Sequence, residues 1–375
     1  MRYKLNKKGN LFFIAIVFVL SYSLVFPCTS FIMKNDNSLL LGHNLDWHIG
    51  IGLFMTNKRN VEKTALMDSL ENPAKWVSKF GSITFNQVGR ELPYGGMNEK
   101  GLVVEQMTLD QTNYPGRDSR QSISACQWIQ YQLDNCSTIQ EVISTDQVIR
   151  IVDRSSKFHF LICDGFGNSA VIEFINGKMI AKTNELLPVT ALANSPYDES
   201  ISAYKTKSST EFNRSLYNFC TAASMIDNYS KNDVNDAISY SFNILKSVGQ
   251  GHFTKWSIVY DIKNLKVYFK VFESPTLTET QIIFLKDEGF AKTKIVDLNK
   301  IDYTCSSPCL VMDLELDREG LVNSYFQNYS TSINKEYISK TFDYFWRLGV
   351  PIQVSDAELN YLAKYPESFK CIINK

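Results

Sequence analysis

Apolar positions along this chain fall into three regimes. Residues 11–20 are an unbroken apolar run behind Arg2, Lys4, Lys7 and Lys8. From Cys28 onward, short alternating runs rich in β-branched and aromatic residues predict strands, and a few longer stretches with apolar positions three and four apart predict helices. Residues 28–34 form the first alternating run, which turns through Asn35-Asp36-Asn37-Ser38 into Leu39-Leu40-Leu41, the pattern of a hairpin. Further strands are predicted over 81–86, 102–107, 148–152, 158–163, 170–175, 179–182, 256–262, 265–272 and 281–285. Asn176-Gly177 joins two of them, a dipeptide that supplies the two positive φ angles of a tight hairpin turn. Helical spacing covers 122–136, 212–226, 234–248 and 338–348, and Ser137-Thr138-Ile139-Gln140 reads as a capping box opening one more helix. Strands at both ends with helices between them give an α+β class of packed layers.

The basic start, the short apolar run and Ser21-Tyr22-Ser23 form the three parts of a secretory signal peptide. The expected organisation is a signal peptide over 1–23, a short propeptide over 24–27 and a single domain over 28–375, with no role assigned to the part beyond about 290. Even extended to Phe26, the apolar stretch contains two serines and is shorter than the ~20 residues of a spanning helix; a retained N-terminal anchor is the alternative. Lipidation of Cys28 is a second alternative. It wants a leucine-like residue three positions before the cysteine, which Val25 approximates, and small residues just before it, where Phe26 and Pro27 stand instead.

Lys and Arg together number 39, and so do Asp and Glu, for a formal charge of zero. That balance argues against a nucleic-acid or membrane-surface partner. With 24 Phe and 19 Tyr the chain has the aromatic content of strand-rich cores and apolar pockets. Eight cysteines in an exported chain invite disulfides, yet their spacings match no compact scaffold. Cys305 and Cys309 read as a local bridge or two structural thiols; a zinc site is not supported, for want of two further ligands nearby.

Cys28 is the residue with the most chemistry. A chain cut just before it carries a thiol and a free α-amine on one carbon. The thiolate is the attacking form, and an α-amine with a reference pKa of about 7.7–8.0 is a base suited to neutral pH. A buried structural thiol is the plain alternative.

Cys28-Thr29-Ser30 followed by Gly42-His43-Asn44-Leu45-Asp46-Trp47 resembles the opening of the choloylglycine hydrolase family, which includes bile salt hydrolases, penicillin V acylases and other linear-amide C–N hydrolases. Gly96-Met97-Asn98-Glu99-Lys100-Gly101-Leu102 is similar to a second block of that family, Ala193-Asn194-Ser195-Pro196 to a third, and Asn213-Arg214-Ser215 to the site of its arginine before a helix. The resemblance runs from Cys28 to about Phe272. It implies the N-terminal nucleophile hydrolase fold, a four-layer αββα sandwich, with Cys28 as nucleophile. It further implies that Asp46 orients the α-amine, that Arg214 is a cation beside them, and that the Asn194 side chain and the Thr108 backbone N–H stabilise the oxyanion. Each residue also has an ordinary reading: Asp46 and Asn194 as turn residues, Arg214 as a solvated charge. His43 departs from the family, which has arginine there; imidazole is shorter and can be neutral. It is expected either to pair with Cys28 as a dyad base or to leave the arginine's task to another group. Trp47, Phe54 and Met55 are candidates for an apolar acyl pocket, with core packing as the alternative.

The expected function is an exported cysteine amidohydrolase acting on small N-acyl amides through a thioester, in the periplasm, at the cell surface or outside the cell. No metal or organic cofactor and no nucleic-acid partner is implied; the membrane is met only through the leader, and a homo-oligomer is compatible. Acyl transfer, a lipid-anchored non-catalytic binding protein and an inactive family member are the competing readings.

Overall fold

The computed structural model describes residues 27–68, 70–153, 156–207, 213–229, 237–272, 281–284, 293–298, 311–312, 327–349 and 354–372. The leader expectations over 1–26, Cys305, Cys309 and the expected element ends at 212, 234–236 and 285 lie outside the described residues.

One sheet has seven strands in the order β14 (Ala191–Leu192), β1 (Thr29–Lys34), β2 (Leu39–Asp46), β15 (Thr254–Asp261), β16 (Lys266–Val271), β17 (Gln281–Phe284) and β19 (Val311–Met312). A second has nine, β13 (Lys178–Thr183), β12 (Ser169–Ile175), β11 (Phe158–Cys163), β8 (Val103–Thr108), β7 (Pro93–Asn98), β6 (Ser82–Asn86), β3 (Leu53–Asn57), β18 (Lys294–Asp297) and β20 (Gln327–Asn328). Two small sheets pair β9 (Gln121–Ile123) with β10 (Ile149–Ile151), and β4 (Val61–Thr64) with β5 (Lys75–Val77) and β21 (Lys370–Cys371). The helices are α1 (Ala125–Asn135), α2 (Ile139–Ser144), α3 (Tyr197–Thr206), α4 (Arg214–Asp227), α5 (Ala237–Val248), α6 (Thr331–Arg347) and α7 (Asp356–Lys364).

Helices α4 and α5 cover β1, β2 and β15 of the first sheet, and α1 covers β7 and β8 of the second. The sheets face each other across an apolar layer whose centre is a ring cluster of Phe54, Phe85, Trp256, Tyr260 and Phe269. The order is therefore αββα. Burial on both faces explains why every residue of β2 and β15 is buried and why their sequences lack a clean polar alternation.

Local chemistry sets the element ends. Asn35 Oδ1 accepts from the N–H groups of Asn37 and Ser38 and closes the first hairpin. Asn176 and Gly177 have φ of 52° and 74°, as their turn requires. The expected helix over 122–136 is split: its first residues form β9, and Ser124 caps a helix that starts at Ala125. The expected capping box forms between Thr138 and Glu141. Asn98 saturates its amide, donating to the carbonyls of Leu133 and Cys136 while accepting from the N–H groups of Lys100 and Leu102. The block around it thus ties a turn to the end of α1.

Near the C-terminus, the single helix expected over 338–348 is longer and is joined by α7. Together they bury Ile49, Ile338, Phe342, Phe345, Leu359 and Ala363, with Trp47 against the same cluster. Thr341 Oγ1 donates to Gln87 O at 2.7 Å, and Gln87 Nε2 donates to Ile49 O at 2.5 Å.

Candidate active site

Cys28 stands one residue before β1, at the rim of the seven-stranded sheet, and is buried. Its Sγ lies 3.7 Å from the main-chain oxygen of Asp46. Burial, reinforced by the Asp46 charge, raises the thiol pKa well above its ordinary value, so in the uncleaved chain the sulfur is a neutral thiol at pH 7. β14 pairs Leu192 with Ser30 of β1, and Asn194 follows two residues after that pair, toward the end of the sheet where Cys28 stands. Both amide atoms of the Asn194 side chain are buried and lack a hydrogen-bond partner.

What holds Asn194 there is a buried pair that the sequence reading missed. His159 Nε2 lies 2.6 Å from Ala193 O, its Nδ1 lies 3.3 Å from Glu173 Oε1, and that same oxygen accepts from Tyr197 N–H at 2.9 Å. The segment carrying Asn194 is thus gripped just before it and three residues after it. Thr108 ends β8 opposite Phe158, and the neighbouring Leu109 N–H bonds Lys157 O at 2.9 Å. The Thr108 N–H therefore points away from β11.

Asp46 ends β2 and projects toward the helix layer. A bulge between Thr254 and Trp256 shifts the register of β15, so that Thr254 rather than Lys255 stands opposite Asp46. The Thr254 hydroxyl donates to Asp46 Oδ1 and accepts from the Gln250 N–H. Asp46 Oδ2 is buried and has no hydrogen-bond partner. Burial pushes the carboxyl pKa up to about 7, against the Thr254 and Gln250 donors and the Arg214 charge, which pull it down. Arg214 opens α4, lies over the Tyr217 ring at 4.7 Å and donates to Gly249 O at 3.3 Å. Thr254 escaped the sequence reading because the strand was expected to begin at Trp256, and nothing in the composition there announces a bulge.

The family model of linear amide C-N hydrolases, choloylglycine hydrolase family, matches residues 28–220, slightly more than half of the chain and beginning at Cys28. The chain belongs to the choloylglycine hydrolase family. It is 25% identical over 251 residues to a penicillin V acylase from Pectobacterium atrosepticum, a match spanning 54% of this chain and 66% of that protein's length. Penicillin V acylase from Agrobacterium tumefaciens has a similar structure, with a TM-score of 0.63 at 22% identity over 81% of this chain and 98% of the other. A conjugated bile acid hydrolase from Clostridium perfringens gives a TM-score of 0.55 at 17% identity over 81% and 96% of the two chains. These likenesses carry the N-terminal nucleophile hydrolase fold.

At the family's arginine position, His43 does not turn to Cys28. Its Nδ1 is 2.8 Å from Ser30 Oγ and its Nε2 is 3.5 Å from Glu105 Oε2, deep between the sheets. Burial lowers the imidazole pKa to about 3, leaving His43 neutral at pH 7, and raises that of Glu105 well above its ordinary value. Tyr260 donates to the other Glu105 oxygen at 2.5 Å, and Ser30 Oγ donates to Met107 Sδ at 3.0 Å. The result is a buried polar thread from β15 through β8 and β2 to β1 and back to β8, and the expected dyad with Cys28 does not form. Asn44, in the same family block, is structural: its amide donates to Leu245 O and accepts from Ser257 Oγ.

The pocket expectation needs correction. Phe54 is fully buried in the inter-sheet ring cluster, and Met55, on the opposite face of β3, is fully buried against Ile295 and Tyr337. Successive strand residues point to opposite sides, and both sides of β3 are covered. Only Trp47 is half-buried, between the inter-sheet core and the C-terminal helices. The six cysteines among the described residues are unpaired.

Proposed function

We propose that the protein is an exported cysteine amidohydrolase that cleaves the linear amide C–N bond of N-acyl amides with an apolar acyl group, of the penicillin V, bile-salt or acyl-amino-acid type. The observation that carries this reading is the unpartnered Asp46 Oδ2, buried beside the residue whose nitrogen becomes an amine when residues 1–27 are removed. A buried carboxylate oxygen without a donor is costly; an ammonium on Cys28 supplies one.

In the mature chain Asp46 holds the amine of Cys28, with Thr254 fixing the other carboxylate oxygen. Arg214 tempers the pull of Asp46 on the amine's proton, since a nearby cation disfavours a second one. The amine takes the thiol proton as Sγ attacks the substrate carbonyl. The Asn194 amide and the Thr108 N–H receive the oxyanion, where losing one donor of this kind typically costs about 2.7–4 kcal/mol of barrier. The amine then protonates the departing nitrogen, and water, activated by the same amine, hydrolyses the thioester. Export rests on the leader pattern.

The test is to purify the secreted product, read its N-terminus by mass spectrometry and assay it on penicillin V, a glycine-conjugated bile salt and an N-acyl amino acid, beside Cys28→Ala. Expected are a Cys28 N-terminus, turnover of at least one substrate, its loss in Cys28→Ala and its loss on acetylating the amine. Turnover by Cys28→Ala, or undiminished turnover after acetylation, contradicts the mechanism.

A further inference from the structure

Asn218 lies one turn into α4, four residues beyond Arg214, and is fully buried. The buried neighbours on this helix, Phe219, Ala222 and Ala223, are apolar. An amide there is unexpected, because burying one without a full set of partners is unfavourable. Its bonds indicate what it does. Nδ2 donates to Pro27 O at 3.3 Å and to Thr29 Oγ1 at 3.1 Å, one partner on each side of Cys28, while Oδ1 is buried without a hydrogen-bond partner. Pro27 O is the carbonyl of the peptide bond that must break to free the Cys28 amine.

We propose that Asn218 is the oxyanion donor for cleavage of the Pro27–Cys28 bond by the chain itself. The inference rests on the reading of Cys28 as an N-terminal nucleophile and extends it to the reaction that creates that nucleophile.

Cys28 Sγ attacks the Pro27 carbonyl carbon, closing a five-membered ring. The negative charge that develops on Pro27 O is received by Asn218 Nδ2. The C–N bond breaks, the nitrogen takes up the proton that left the thiol, and Pro27 is then held to Sγ as a thioester. Water cleaves the thioester, leaving a Pro27 carboxylate on the released segment and a free thiol and amine on Cys28. A donor somewhat long for the flat carbonyl suits an oxygen that moves and charges as the carbon becomes tetrahedral. After release, Asn218 keeps Thr29 and so keeps the start of β1 in place. Its Oδ1 is an acceptor for the new ammonium, alongside Asp46 Oδ2.

The experiment is cell-free synthesis of the full chain, followed by intact-mass measurement over time for wild type, Asn218→Ala, the isosteric Asn218→Asp and Thr29→Val. Thr29→Val removes the second Nδ2 partner without touching Pro27 O and so reports a merely structural contribution. The expected result is that both Asn218 variants release the Cys28-terminated product about a hundredfold more slowly, the scale of one lost oxyanion donor, while Thr29→Val stays within about threefold of wild type. Release by the Asn218 variants at the wild-type rate overturns the proposal, as does equal slowing by Thr29→Val. A wild-type chain that keeps the Pro27–Cys28 bond also overturns it, and that outcome alone brings down the N-terminal nucleophile reading as well.

Discussion

If the chain is processed at Cys28 as proposed, the Asp46 carboxyl should make the unprocessed chain respond to pH in a way the processed one does not. On the proposed self-cleavage, Cys28→Ala retains the Pro27 peptide bond, so no ammonium reaches Oδ2. Burial holds the folded-state pKa at about 7, against an ordinary value of 3.8. A carboxyl whose pKa is raised on folding favours the native state fully below the lower value. That advantage is lost as pH climbs through the higher one, because only the native state resists losing the proton. Between pH 5 and pH 8 the two values predict that this single group removes about 2–3 kcal/mol of stability. The assay is urea unfolding of Cys28→Ala and of Cys28→Ala/Asp46→Asn at both pH values. The amide has the same shape and does not titrate, so the difference between the two proteins isolates Asp46. The stability of the Asp46-bearing protein relative to the amide variant should fall by that amount from pH 5 to pH 8. A difference that does not move with pH, or that moves the other way, refutes the claim that Oδ2 waits unpaired for the amine.

Thr254→Val in the processed enzyme removes the donor to Asp46 Oδ1 and should cost about 1.5–3 kcal/mol by urea unfolding at pH 8, the range for a hydrogen bond to a charged group. Equal stability of variant and wild type would deny Thr254 that role. His159→Ala frees Ala193 and should lower kcat by ten- to a hundredfold with KM nearly unchanged, since an oxyanion donor held loosely acts only on the transition state; a change in melting temperature alone would make the pair merely structural. Gly95→Ala places a methyl 2.1 Å from a Glu105 carboxylate oxygen, and calorimetry should show destabilisation of about 1–3 kcal/mol, as overpacked cores do.

Legibility in the sequence followed locality. The turn of the first hairpin, the strand Phe158–Cys163, the Asn176-Gly177 turn and the pairing across Lys263-Asn264 are all set by neighbours in the chain. There the expected and observed elements coincide within a residue or two, although the hairpin's second strand runs on from the expected Leu39-Leu40-Leu41 to Asp46. Strand β7 was invisible because Tyr94-Gly95-Gly96 reads as a breaker. Its glycines are demanded from outside: a Cβ on Gly95 would strike the Glu105 carboxylate, and one on Gly96 would lie 2.2 Å from Ile83 O. Helix α3 was missed because its N-cap is Pro196, with no side-chain cap hydrogen bond. At the site, the residues carried by the family blocks, Cys28, Asp46, Asn194 and Arg214, gather at one rim of the sheet. Their supports, Thr254, His159 and Asn218, come from distant segments through a bulge, a cross-sheet contact and a helix face, none of which leaves a mark on its own stretch of chain. His43 and Phe54 took the alternatives left open for them, a role away from Cys28 and core packing, because a place in or near a family block says nothing about which side of a strand faces the rim.

The clamp formed by α6 and α7 has a consequence for how this enzyme can diversify. Its grip falls on Ile49 and Trp47, within three positions of Asp46, although its own residues begin only at Thr331. Substitutions in the last stretch of the chain can therefore reshape the ground beside the Asp46 carboxylate while the strands around it stay as they are. A protein cut short before Thr331 keeps Cys28 and Asp46 yet loses the footing of the loop next to them.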